Sequence, residues 1–122
     1  MDIYFEPINL NHWDMFTEVN GIGHIETFCA TKSMKIGDII LLYVTRQQKP
    51  VKCGIYSFGI AVTEPYAEPD GSGLVIDAEI VRISYNKPLI DEAVCKEVFA
   101  QVRSVHRVAD KQYDSIVKML NQ

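Results

Sequence analysis

Three histidines, three cysteines and scattered carboxylates are the groups of this chain suited to covalent or metal chemistry, and their spacing argues against both. His12, His24 and His106 lie in separate segments, without the pair at four-residue spacing and neighbouring glutamate that would hold a catalytic zinc ion. Cys29, Cys53 and Cys95 are odd in number and far apart, which reads as buried thiols in a reducing compartment, with no metal and no cofactor expected. Cys29 falls on an apolar stripe and reads as a small hydrophobe rather than a nucleophile. Glu64, Glu68, Asp77 and Glu79 would work as an acid and base pair only if the fold joined them, and their pattern reads as a solvated strand face. Neither a glycine-rich phosphate loop nor a nucleophile elbow is present. Binding chemistry is better represented. Trp13, the only tryptophan, offers an aromatic platform, and Arg46, Lys49 and Lys52 place three cations in seven residues that hold no acid.

The composition bounds what those groups can serve. The chain has 122 residues, the size of one domain (1–122), with 48% hydrophobic and 23% charged residues, as in a compact protein. Its net charge of −4 argues against coating nucleic acid through bulk electrostatics, yet leaves room for a local basic rim. The longest apolar run, 39–44, is far short of the ~20 residues that span a bilayer, and Met1, Asp2, Ile3 and Tyr4 do not start a secretory signal. The expectation is a cytoplasmic protein with no membrane partner.

The elements that must position these groups can be read from apolar spacing. Ile3, Tyr4 and Phe5 suit a short strand ending at Pro7. Asn9 and Asn11 are good helix caps before Trp13, Phe16 and Val19, which recur at helical spacing. Gly21 and Gly23 break that helix, and Ile25, Phe28 and Cys29 predict a second one running towards Met34. Gly37 suits a helix stop, and the 39–45 run, apolar on both parities, predicts a strand buried on both faces. A second β-rich run covers 55–62, with Gly59 predicting a bulge or a close backbone approach. Pro69, Asp70 and Gly71 predict a turn, after which Leu74, Ile76, Ala78 and Ile80 alternate as a half-buried strand. Pro88 ends that region, and Asp91 caps a helix carrying Val94, Val98 and Val102. A short strand at 104–108 and a last helix with Tyr113, Ile116, Val117 and Leu120 complete the chain. Strands interleaved with helices at irregular spacing predict an α+β fold: a curved mixed sheet or small barrel with helices packed outside.

In that order, the chain resembles the EVE domains of the PUA-like superfamily. Met34-Lys35-Ile36-Gly37-Asp38 and the hydrophobic run to Tyr43 are similar to their MKxGD-hydrophobic-Tyr core, and Gly21-Ile22-Gly23-His24 falls at their Trp-x-Gly-Val-Arg-Asn motif. Gly54 to Glu64, then Pro65-Tyr66 with Pro69-Asp70, resemble the second barrel strand and the loop after it. Pro88-Leu89-Ile90 and the segment from Arg103-Ser104 to Leu120 resemble the closing Pro-Leu segment, Ser-Arg strand and last helix. The chain departs from the family where Val19, Gly23 and His24 replace its tryptophan, arginine and asparagine.

The resemblance implies a non-catalytic module that recognises a modified nucleobase of DNA or RNA in an aromatic-lined pocket. The ligand-binding residues so implied are Trp13, Asn20, Gly21, Ile22, Gly23, His24, Tyr43, Thr45 and Ser104, with Arg46, Lys49 and Lys52 on phosphates. Two other readings follow from the same superfamily. An ASCH-like amidohydrolase for modified pyrimidine nucleosides would draw on Glu26, Thr31 and Lys32, and a degenerate domain would act as a protein-interaction module.

Overall fold

A computed structural model describes residues 1–46 and 51–122. Lys49, one of the three expected phosphate contacts, lies outside the described residues. The strands are β1 (Ile3–Ile8), β2 (Ile25–Cys29), β3 (Ile39–Val44), β4 (Gly54–Ala61), β5 (Tyr66–Ala67), β6 (Leu74–Ile83), β7 (Ile90–Asp91) and β8 (His106–Arg107). The helices are α1 (Met15–Glu18), α2 (Glu92–Val98) and α3 (Tyr113–Leu120), the last entered through a 3-10 turn at Asp110–Gln112.

All strands belong to one mixed sheet. Its main path runs β2-β6-β4-β3-β1-β8, with β5 added to β6 and β7 to β4. Only β1 and β3 are parallel, in the register Ile3 to Ile39 through Ile8 to Val44. The sheet curls until distant strands meet. Glu6 on β1 accepts a hydrogen bond from the Cys29 backbone amide on β2, four places away along the path. Tyr4 Oη lies 2.8 Å from Ser33 Oγ, just beyond β2.

Every residue of β3 is buried, as its unbroken apolar run requires at the centre of a two-faced sheet. One face packs Tyr4, Ile8, Met15, Val19, Phe28, Leu42 and Tyr56, with Trp13 and Phe16 against them. The other packs Phe5, Leu41, Tyr43, Ile55 and Phe99 under α2 and α3. Two glycines shape the strands. Gly37 turns the chain into β3 at φ +92 and donates its N–H to Ala61 O at 2.9 Å. Gly59 marks a register shift between β4 and β6, where an added Cβ would lie 2.9 Å from the Glu79 carbonyl.

Several local expectations are corrected. Residues 25–29 form an edge strand and not a helix, held by β6 through pairs from Ile25–Glu79 to Cys29–Val75. The 20–24 turn therefore joins a helix to a strand rather than two helices. Asp14, not Asn9 or Asn11, caps α1, its side chain accepting from Phe16 N at 3.2 Å; the Asn9 side chain accepts from Asn11 N in a local turn. β1 continues through Pro7 to Ile8. Cys29 is exposed, because it sits on the edge strand; Cys53 and Cys95 are buried, and all three thiols are free. Among the described residues, no helix is long and apolar enough to cross a membrane.

Candidate functional site

Three depressions join into one groove around the end of the sheet where β3 stops and β4 begins. The first, about 430 Å³, is lined by Tyr43, Thr45, Arg46, Glu92, Lys96 and Arg103, among others. The second, about 410 Å³, shares Arg46, Cys53 and Glu92 with it and adds Lys52 and Asp91. The third, about 360 Å³, shares Val51, Lys52, Pro88 and Asp91 with the second and ends on Phe16, Tyr56 and Tyr85. Tyr43 and Cys53 belong to one face of the sheet and Tyr56 to the other, so the groove passes from face to face.

Its charge is opposite to that of the chain. Among the described residues, Arg46, Lys52, Lys87, Lys96 and Arg103 line it, against Asp91 and Glu92 alone. Five of the 12 bases thus stand with only two of the 16 acids. Glu92 is shared, 3.5 Å from Lys96 and 4.0 Å from Arg46. Asp91 is occupied as the cap of α2, accepting from Val94 N at 3.0 Å. An anion entering the groove meets a net cationic surface.

The fold explains this convergence. Arg46 follows β3 and Lys52 precedes β4, so the hairpin-like pairing of those strands places both at one end. Gly54, at φ +152, lets Pro88 approach where a Cβ would lie 2.7 Å from the proline Cβ. That contact and the β4–β7 pairing bring Asp91 and the start of α2 to the same end, and with them Lys96. Lys96 carried no sequence signal for this site, because long-range pairing puts it there, and Arg103 stood out in the sequence only as part of an alternative phosphate track with Arg107 and Lys111.

At the first depression, Tyr43 is 2% exposed and packs its ring against Phe5 at 5.1 Å. Its hydroxyl reaches Cys53, whose thiol in turn reaches Glu92. Burial first, then these acidic neighbours, push the Tyr43 hydroxyl and the Cys53 thiol above their ordinary ranges, so both stay protonated at neutral pH. Thr45 spends its hydroxyl on the Ile8 carbonyl at 3.1 Å.

The remaining expected ligand contacts stand apart from the groove lining. Trp13 is half-buried on the opposite face from Tyr43, edge-on to Phe28 at 5.7 Å. The two rings therefore do not form one aromatic slot. Asn20, Gly21, Ile22, Gly23 and His24 form a turn laid against β6, with Gly23 N to Ile80 O at 2.8 Å and Ile80 N to His24 O at 2.7 Å. His24 Nδ1 accepts from Asn20 N and Nε2 lies 2.9 Å from Glu26 Oε1, which fits an imidazole protonated on Nε2. Ser104 is held by Gln101, whose Nε2 donates to its hydroxyl at 2.7 Å, beside the groove residue Arg103. Glu26 faces His24 and Thr31 faces Ser33 at 3.0 Å, while Lys32 is exposed.

One buried group was missed from the sequence. Glu6 is 4% exposed on the Trp13 face, and its Oε2 is the single buried side-chain polar atom without a partner among the described residues. Burial pushes its carboxyl up to about 8, against a smaller opposing effect of the Cys29 amide. No metal-ligating cluster of histidine, cysteine and acid is present among the described residues.

Comparison with known proteins adds the fold. No family model and no curated protein matches the sequence. A solved protein of Rhodopseudomonas palustris superposes with a TM-score of 0.71 at 16% identity, over 99% of this chain and 94% of its own. Human THYN1, solved in complex with DNA containing 5-methylcytosine, gives 0.66 at 12% identity, over 100% of this chain and 99% of its own. An ASCH protein of Zymomonas mobilis gives 0.59 at 14% identity, over 97% and 98%. The chain has the PUA-like α+β fold.

Proposed function

We propose that this domain binds a DNA or RNA strand and holds a modified base out of its stack, without chemistry of its own. The observation that carries the reading is the concentration of cations in one groove of an otherwise acidic chain. Arg46, Lys52, Lys96 and Arg103 would meet successive phosphates, and the counterions so released would supply most of the affinity. Human THYN1, which shares the fold, was solved with 5-methylcytosine DNA, which supports a nucleic-acid partner here. Extruding a base costs roughly a few kcal/mol, so the site must return that through stacking and edge hydrogen bonds.

Fluorescence anisotropy with a short labelled oligonucleotide, with and without one 5-methylcytosine, tests this. Saturable binding is expected, tighter for the modified strand, with no change in the oligonucleotide afterwards. Replacing Arg46, Lys52, Lys96 and Arg103 together by alanine should lower the slope of log K against log salt by about one for each lost phosphate contact. Absence of binding at low salt, or an unchanged slope in the variant, overturns the reading. Hydrolysis of a free N-acylated pyrimidine nucleoside, releasing its carboxylic acid, would replace it with the amidohydrolase.

A further inference from the structure

The third depression differs from the rest of the groove in being walled by rings. Phe16 stands edge-on to Tyr56, with centroids 5.1 Å apart and planes at 86°, and lies 6.2 Å from Tyr85. Tyr56 is 3% exposed and its hydroxyl donates to the Lys52 carbonyl at 2.7 Å. Tyr85 is the contrary case. Its hydroxyl donates to Val19 O at 3.3 Å, which fixes the ring's orientation, yet 51% of the residue is exposed. A large aromatic that is held at its tip yet half-exposed is pre-arranged to receive a flat partner.

We propose that this cavity is the seat of a nucleobase, stacked on Tyr85 within the Phe16–Tyr56 wall, with its own phosphate at Lys52 and Lys87. The inference rests on the nucleic-acid reading above and names the place where the base is held. Three observations select a base over other flat or apolar ligands. The cavity, about 360 Å³, is near the lower limit for small-molecule sites and takes one small ring system rather than a chain or a sterol. Two cations, Lys52 and Lys87, line it against Asp91, a carboxylate already occupied in capping α2, so an anionic group on the ring is favoured. The cavity continues the basic groove through Val51, Lys52, Pro88 and Asp91, so a strand lying along Arg103, Lys96 and Arg46 delivers its base there. Asn86, also in the lining, supplies both a donor and an acceptor for a base edge.

The test uses the full chain and a short oligonucleotide carrying one 2-aminopurine, whose fluorescence falls on stacking. Anisotropy of a terminal label gives affinity on the same strand. Wild type should bind and quench. Tyr85→Ala should weaken binding roughly five- to a hundred-fold, the loss of one stacked base, and abolish the quench. Its salt slope should not change, because a neutral ring releases no counterion. Tyr85→Phe keeps the ring and should restore both signals, and Lys87→Ala should lower the slope by about one while retaining the quench. Melting temperatures accompany each variant; should Tyr85→Ala unfold, the quench in wild type and Tyr85→Phe, and its location by competition with free nucleoside monophosphate in NMR spectra of Tyr85 and Phe16, decide instead. If Tyr85→Ala binds and quenches as wild type does, the cavity is not the seat, although the strand still lies in the groove. If wild type binds neither the oligonucleotide nor the free nucleotide, the nucleic-acid reading fails with it.

Discussion

The two faces of the sheet are built to different standards. Under α2 and α3, the polar atoms within the core are matched: Tyr43 meets Cys53, the Cys95 thiol reaches Ile90 O at 3.7 Å, and Tyr113 Oη accepts from Ile3 N and donates to Asp2. The opposite face is covered by a four-residue helix and loops, and it is where groups are left unmatched. Among the described residues, Glu6 Oε2 has no partner, Trp13 and Phe16 are only half-buried, and Tyr85 beside Phe16 is half-exposed. A face whose buried polar atoms are partnered serves stability. The third depression of the groove, the proposed seat of the base, opens on the face where groups are left unmatched.

The largest effect that can break this comparison is a pair of core truncations. Phe99 is 5% exposed and packs on Phe5 with centroids 4.8 Å apart. Phe99→Ala should cost about 3–5 kcal/mol in urea unfolding, as for a fully packed aromatic. Trp13→Ala should cost less than about 3 kcal/mol, since the ring is already partly in water and makes one edge contact with Phe28. Equal costs would mean that the Trp13 face is packed as tightly as the helix-covered one.

A smaller effect comes from Glu6. Its folded carboxyl titrates near 8, above the ordinary value of 4.5, so the fold favours the protonated form. Its contribution to stability is therefore complete below the unfolded value and is lost as pH rises through the folded one. Between about pH 5.5 and 7.5, wild type should lose up to about 3 kcal/mol relative to Glu6→Gln, which cannot ionise. Parallel pH profiles for the two proteins would show that Glu6 is solvated or partnered in solution, and the contrast between the faces would weaken.

How much of this was legible in the sequence depends on the range of the interactions involved. The strands at 39–44, 54–61 and 74–83 announced themselves through their own apolar patterns, and Gly37 through the positive φ that its turn requires. Residues 25–29 misled, because Ile25, Phe28 and Cys29 have helical spacing but only Phe28 is buried. The strand is imposed by β6, through backbone pairing and the bond from Thr27 Oγ1 to Asp77 Oδ1 at 2.8 Å. The groove divides the same way. Arg46 and Lys52 were visible as members of an acid-free segment, whereas Lys96, Arg103 and Lys87 arrive from elements far along the chain. Tyr85 sits in a stretch with no periodicity at all, and only its contacts with Phe16 and Val19 reveal it.

Cys29 offers the finest probe of the curled sheet, because it reports on Glu6 without altering the core. Its thiol is exposed on β2, while its backbone amide donates to the Glu6 carboxyl across the seam. Burial is the first cause that raises its pKa, and the charge on Glu6 is the second. That second cause acts only when Glu6 is ionised, which for a carboxyl titrating near 8 means alkaline solution. A thiol reagent in native buffer should therefore label Cys29 first, with Cys53 and Cys95 reacting on unfolding; the Cys95 thiol is pushed up to about 12 by burial. At about pH 7, wild type and Glu6→Gln should label Cys29 at the same rate, since Glu6 is neutral there. At about pH 9 the variant should react faster, because more of its Cys29 is thiolate once the neighbouring negative charge is gone. A rate difference already present at pH 7 would place Glu6 in its ionised form and the β1–β2 seam in water. Equal rates at both pH values would separate Cys29 from Glu6 altogether, and the sheet would then be open along that seam.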